Sequence, residues 1–139
     1  MEKFSQKELE YLRGQKIGRI ATVSKDQNPQ VTAVAFATDE ENVYLNIQYD
    51  SKKARNIRDN PRISFIVDDC PTWETFRGVL ISGKAQLILE GKPHQIGRKL
   101  LYKKYPNYEK DYSIEEGVWS KYILVITPTK IGNWGPIDK

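Results

Sequence analysis

From Val79 to Leu89 the chain reads Val-Leu-Ile-Ser-Gly-Lys-Ala-Gln-Leu-Ile-Leu, its longest strand signal, with Gly83 at the centre. A glycine there predicts a bend or bulge, the device by which a long strand serves a curled sheet. Other segments share the period of two. Ile17, Arg19, Ala21 and Val23 alternate with Gly18, Ile20 and Thr22 until Asp26-Gln27-Asn28-Pro29 breaks the run. Val31–Ala37 and Val43–Gln48 follow, separated by Asp39-Glu40-Glu41-Asn42, and these first three strands read as an antiparallel meander. Arg62–Val67 and Tyr122–Thr127 complete six strands.

The helical signals are few and peripheral. Ser5-Gln6-Lys7-Glu8 has capping-box spacing, with Leu9 and Leu12 on one face, and predicts a helix over 5–13. A second covers 51–59 and stops at Asn60-Pro61, because the residue before proline avoids the α region. A third covers 93–105, with Pro93 in its first turn and Ile96 and Leu100 spaced four apart. With no βαβ alternation, the expected fold is mainly β, a closed or partly closed antiparallel β-barrel with peripheral helices. At 139 residues, without a linker or repeat, residues 1–139 read as a single domain.

Composition enters as exclusion. No apolar run approaches the ~18 residues of a membrane span, and Met1-Glu2-Lys3-Phe4-Ser5 lacks a signal peptide's apolar stretch, so a cytoplasmic location is expected. One cysteine and one histidine give neither an internal disulfide nor a usual zinc site, so no metal is expected. The net charge of +4 is mildly basic, and its meaning depends on where the cations sit.

They sit most pointedly in Asp50-Ser51-Lys52-Lys53-Ala54-Arg55-Asn56. Ser51 or Asp50 is a natural N-cap, which puts Lys52 and Lys53 in the first helical turn, the end that already carries a partial positive charge. Free N–H groups, a hydroxyl and two ammoniums at one point describe a phosphate site, against the plainer reading of a solvated face. Thr32, Ala33 and Ala35 are small enough for a flat ring to lie against the backbone, although tight packing would also use such residues.

Gly18-Arg19-Ile20-Ala21-Thr22-Val23, Pro29-Gln30-Val31-Thr32-Ala33-Val34-Ala35-Phe36 and Ser51-Lys52-Lys53-Ala54-Arg55-Asn56-Ile57 together resemble the pyridoxamine 5'-phosphate oxidase-like split-barrel flavoproteins. Asn60-Pro61-Arg62-Ile63-Ser64 and Arg77-Gly78-Val79-Leu80-Ile81-Ser82-Gly83-Lys84-Ala85 continue the match in order, with a weaker echo at Thr127-Pro128-Thr129-Lys130-Ile131. The resemblance covers about residues 13–90. It implies a six-stranded antiparallel split barrel and an intertwined homodimer with FMN at the interface.

Carried over residue by residue, it puts the phosphate clamp on Ser51, Lys52 and Lys53, with lysine in place of the family's arginine and Arg55 nearby. The flavin-contacting strand falls on Val31, Thr32, Ala33 and Val34, with valine for the leading arginine, and the family's following lysine becomes Phe36. The tyrosine-threonine pair beside the ring becomes Asn46 and Ile47, and a glutamine supplied by the partner subunit becomes Gly78. Trp134 is placed near the flavin by the C-terminal part of the match. The family's Arg-Leu-His-Asp-Arg substrate motif is absent, so pyridoxamine phosphate oxidation is not expected. Relatives without that motif resemble users of a deazaflavin coenzyme, and Lys53 to Asn56 resembles theirs too.

Elsewhere the signals are plainer. His94 reads as a surface histidine, which also disfavours the superfamily's haem-binding branch. Cys70, flanked by Asp68 and Asp69, reads as an inert loop thiol. Trp73, Trp119 and Trp134 read as core or interface residues. Tyr102-Lys103-Lys104-Tyr105 with Tyr108, Lys110 and Tyr112 mixes basic and aromatic residues as single-strand binders do, but Glu109, Asp111, Glu115 and Glu116 interleave, and a solvated amphipathic face is expected. The resulting expectation is an FMN-dependent oxidoreductase acting on an unknown small molecule. A deazaflavin-dependent reductase and a non-enzymatic flavin carrier or sensor are the alternatives, and neither nucleic acid nor membrane is an expected partner.

Overall fold

The computed structural model describes residues 2–106 and 122–138. Its elements run α1 (Gln6–Gly14), β1 (Gly18–Val23), β2 (Pro29–Val34), β3 (Ala37–Thr38), β4 (Val43–Asn46), α2 (Lys52–Asp59), β5 (Arg62–Asp69), β6 (Arg77–Ile88), α3 (Lys92–Lys104) and β7 (Ile123–Trp134), with a 3-10 turn at Trp73–Thr75. The fold is mainly β, as expected, with seven strands because the run from Val31 to Ala37 divides at Ala35-Phe36.

All pairings are antiparallel, in the order β2-β1-β5-β6-β7-β4-β3. The expected meander is therefore corrected: β1 pairs with β2, but β4 pairs with β7 and not with β2. The two edges of this sheet, β2 and β3, are joined by only Ala35 and Phe36. Three residue steps span at most roughly 11 Å. The sheet must therefore curl until its first and last strands lie side by side, and the seam of the barrel is the β2–β3 corner.

Gly83 behaves as its position predicts. The β6–β7 register shifts between Ser82 and Gly83, where Ser82 faces Lys130 and Gly83 faces Pro128, leaving Thr129 as the extra residue. A Cβ on Gly83 would lie 2.4 Å from the Thr127 carbonyl oxygen, so no side chain fits. The same bulge lets β7 carry Pro128 in mid-strand, where its missing N–H does least harm. The strand then runs on to Trp134, beyond the expected end at Thr127.

Phe36, Phe65, Ile20, Leu45, Ile81 and Leu124 fill the barrel, with Phe36 and Phe65 edge-to-face at 5.3 Å. A second cluster, Tyr44, Leu101, Ile123 and Val125, lies under α3. His94 is 3% exposed, which corrects the surface reading. Cys70 is exposed in a loop, where its thiol donates to the Thr72 carbonyl. Trp73, at 79% exposure, is no core residue and stacks on Phe76. The expectations for Tyr108, Glu109, Lys110, Asp111, Tyr112, Glu115, Glu116 and Trp119 fall outside the described residues.

α1 is secured at its start by the foreseen capping box: Glu8 N–H donates to Ser5 Oγ (3.2 Å) and Ser5 N–H to Glu8 Oε1 (2.8 Å). Glu8 Oε2 also accepts from Asn133 Nδ2 at 2.8 Å, tying α1 to β7. Replacing Ser5 by alanine should lower global stability by about 1 kcal/mol. The check is a lower denaturant midpoint with an unchanged slope.

Candidate functional site

The barrel seam opens beside the head of α2. β4 ends at Asn46, and Ile47 N–H donates to the Tyr122 carbonyl at 3.2 Å, which holds the chain in line as it leaves the sheet. It then turns sharply: Ser51 N–H and Ser51 Oγ both donate to the Gln48 carbonyl, at 3.1 and 2.8 Å. Ser51 Oγ accepts from Ala54 N–H at 3.2 Å, so Ser51 is the N-cap. Arg58 closes the loop from below, with its guanidinium 4.2 Å from the Tyr49 ring centroid and Nη1 donating to the Tyr49 carbonyl. On the inner side, Ala54, Asn56 and Ile57 are buried, and Asn56 Nδ2 donates to Thr22 Oγ1 of β1.

A cavity of about 240 Å³ lies between this helix head and the end of β2. Ala33, Val34 and Ala35 form one wall, Asn46, Ile47 and Gln48 another, and Ser51 and Lys53 close the α2 end. Of the residues expected from the sequence, Ala33, Val34, Asn46, Ile47, Ser51 and Lys53 thus come together around one space. The others do not line it. Val31 is 64% exposed on the outer face of the sheet. Thr32 lies across from Ile20 on the inner face, where its hydroxyl is buried without a hydrogen-bond partner among the described residues. Lys52 and Arg55 are exposed on the outward side of α2. Gly78 and Trp134 face each other across β6 and β7 and stand apart from the cavity lining.

Gln48 was not among the expected residues. Its usable signal is position, since it immediately precedes the turn whose N-cap its carbonyl anchors.

The electrostatics of the α2 head are one-signed. Its first turn contains no acidic residue. Ser51 Oγ takes the Ala54 N–H and the Ser51 carbonyl takes the Arg55 N–H. The helix itself supplies no acceptor for the N–H groups of Lys52 and Lys53. Burial pushes the Lys53 ammonium pKa below its ordinary value. No ion pair among the described residues includes Lys53. Backbone donors, a positive helix end and a half-buried ammonium facing a cavity are the components of an anion site. The Ser51 hydroxyl is already committed to Gln48, so in this conformation it can add a lone pair but not its proton.

Similarity to known proteins agrees with this architecture. Residues 4–135 match the family described as pyridoxamine 5'-phosphate oxidase. The 5a,11a-dehydrotetracycline/5a,11a-dehydrooxytetracycline reductase of Streptomyces rimosus is 41% identical over 101 residues, spanning 66% of this chain and 71% of that protein. An FAD-binding protein from Mesorhizobium loti superposes with a TM-score of 0.73 at 19% identity, over 95% of this chain and 93% of that one. An F420 reductase gives 0.68 at 24% identity, over 93% and 98%. The two structural likenesses speak to the fold alone. The match over nearly the whole length, the reductase relative and the curled antiparallel sheet together make this chain a member of the pyridoxamine 5'-phosphate oxidase family.

Proposed function

We propose that the chain is an FMN-dependent oxidoreductase that reduces or oxidises a small molecule, working as a homodimer in the cytoplasm. The observation that carries the reading is Lys53, a half-buried ammonium with no carboxylate partner among the described residues, at the head of α2 and facing a cavity walled by Ala33 and Ala35. The residues fit the group. The phosphate would sit against Lys53 and the Lys52 and Lys53 N–H groups, with Lys52 and Arg55 adding long-range attraction from outside. The flat ring would lie against Ala33–Ala35, whose small side chains leave the edge of β2 within hydrogen-bonding reach. FMN, when bound, supplies the hydride chemistry, and the chain supplies position and electrostatics.

The size of the cavity supports the dimer. About 240 Å³ falls short of the roughly 300–1,000 Å³ of small-molecule sites. A second copy would complete it. Phe76 and Trp134, edge-to-face at 5.6 Å, form with Trp73 an aromatic patch around Gly78 that a second copy could offer.

The deazaflavin reading uses the same cavity and the same cations, and its support is the fold shared with an F420 reductase. Parallel titration of FMN, riboflavin and the deazaflavin coenzyme into the purified chain separates the readings. Saturable FMN binding, tighter than riboflavin by at least tenfold, is expected. Deazaflavin binding tighter than FMN would move the assignment to that coenzyme. Flavin binding without turnover of any acceptor would leave a carrier.

A further inference from the structure

The largest cavity among those described is a different one, of about 470 Å³, at the opposite side of the β2–β3 corner. Arg13 and Lys16 approach from the end of α1 and the link after it, and Lys103 and Lys104 from the last turn of α3. Ala37, Thr38 and Leu100 form its floor, and Asp39 and Glu40 its far rim. The cations exceed the acids. Asp39 is also fully engaged, since it accepts from Glu41 N–H, Asn42 N–H and Tyr44 Oη.

One group here lacks a hydrogen-bond partner among the described residues, and a second is an ammonium drawn inward without a carboxylate among them. Thr38 is 6% exposed, yet its hydroxyl has no hydrogen-bond partner among the described residues. Lys104 is drawn inward, with Nζ 3.1 Å from the Leu12 carbonyl and 3.7 Å from the Phe36 ring centroid. No carboxylate pairs with it among the described residues. Cations in the last turns of α1 and α3 suit the negative ends of those helices. That accounts for exposed Arg13 and Lys103, and Lys104 meets the α1 end directly through the Leu12 carbonyl, but no carboxylate among the described residues neutralises its inward charge.

Of the carbonyls at these helix ends, Leu12 O accepts from Lys104 Nζ and Gln15 N–H and Leu101 O from Tyr105 N–H, and the Lys16 carbonyl in the link after α1 lies 2.8 Å from Tyr105 Oη. For a bound anion the four cations of the lining offset the negative helix ends.

We propose that this cavity is a second ligand site, distinct from the cofactor cavity, that binds a phosphate monoester. Its dianionic head would be held by Arg13, Lys16, Lys103 and Lys104, and its apolar body would lie on Ala37 and Leu100. The site needs nothing from the cofactor reading.

It also carries a protonic signature. Burial and the charge of Lys16 push the Lys104 pKa down to about 7. Among the described residues, the charged and titratable groups facing it are Arg13, Lys16, Lys103, Asp39, Glu40 and Tyr105. A dianion among them would pull Lys104 back up, so binding just above neutral pH takes up protons.

The test is calorimetric titration of the full chain, saturated with FMN where FMN binds, using phenyl phosphate, inorganic phosphate and succinate as probes. Saturable binding of phenyl phosphate, one per chain and tighter than either other probe, is expected. Heats that differ between buffers should report proton uptake. Arg13→Ala with Lys103→Ala, both at exposed positions, should weaken phenyl phosphate at least tenfold and leave FMN affinity unchanged. Lys53→Met should leave phenyl phosphate binding as it was. No saturable binding at millimolar probe, or equal binding of succinate, would overturn the phosphate-ester assignment. A loss caused by Lys53→Met rather than by the Arg13/Lys103 pair would place the ligand in the cofactor cavity and overturn the second site.

Discussion

Lys53→Met is expected to weaken FMN binding by about 1.5–3 kcal/mol, or roughly 10- to 150-fold, and to leave riboflavin binding within about twofold. The lysine half-buried against the cavity would make a charge-assisted contact with the proposed cofactor that only its phosphate could receive. Lys52→Ala, at an exposed position, should cost less than about 1 kcal/mol, as exposed ion pairs do. The apo protein should respond in the opposite sense. Burial holds the Lys53 ammonium pKa below its ordinary value. In the window between the folded and unfolded values the unfolded chain binds more protons, so apo stability rises with pH there. Lys53→Met removes that slope and should be no less stable than the parent at neutral pH. Fluorescence titration of both ligands with denaturant melts across pH measures all three effects. Equal losses for FMN and riboflavin would show that Lys53 supports the ring pocket and not a phosphate.

How much of this was legible depended on the range of the interaction. The capping box at Ser5–Glu8, the N-cap at Ser51 and the bulge at Gly83 are written in a few adjacent residues, and all three stand in the structure. Pairing is not local. Nothing between Val43 and Asn46 says that their partners are Ile123–Ile126, because alternation defines a strand's faces and not its neighbour. The continuation of β7 was hidden by Pro128, which reads as a stop unless the bulge opposite Gly83 is known.

At the site, the residue types were legible but their orientation was only partly so. Lys53 shares a helix face with buried Ile57 four residues on, whereas Lys52 and Arg55 share the exposed one, so helical spacing could have separated them. Along β2 the alternation was equally available, since Val31 and Ala33 oppose Ala21 and Arg19 on the outer face while Thr32 points inward. Which end of that strip meets the cavity was not available, because the answer lies in the curl that brings β2 beside α2. Lys104 was unreadable for the same reason. Its neighbours Leu12 and Phe36 are remote in sequence, and a Tyr-Lys-Lys-Tyr run looks like solvated surface until the fold encloses it.

Gly78→Gln, which installs the glutamine that the family resemblance implies at this position, is expected to destabilise the protein by about 2–3 kcal/mol. A Cβ at Gly78 would lie 2.3 Å from the Trp134 ring and 2.8 Å from the Val67 carbonyl oxygen. The ring can be removed, but the carbonyl belongs to a backbone fixed by the β5–β6 ladder. The double variant Gly78→Gln/Trp134→Ala should therefore be more stable than the two single losses added together, with a coupling of about 1–2 kcal/mol, yet remain below the parent. Trp134→Ala alone should cost less than a fully buried tryptophan would. The ring is only half-buried, and its indole Nε1 is enclosed without a hydrogen-bond partner among the described residues. This pairing gives the glycine at residue 78 a physical reason. With the bulky indole held across the strand at this register, only a hydrogen fits at residue 78. The position then contributes an aromatic face, through Trp134 and Phe76, where a polar side chain would otherwise stand. Additive losses in the double-mutant cycle would show that Trp134 swings clear of residue 78, and the glycine would then need another explanation.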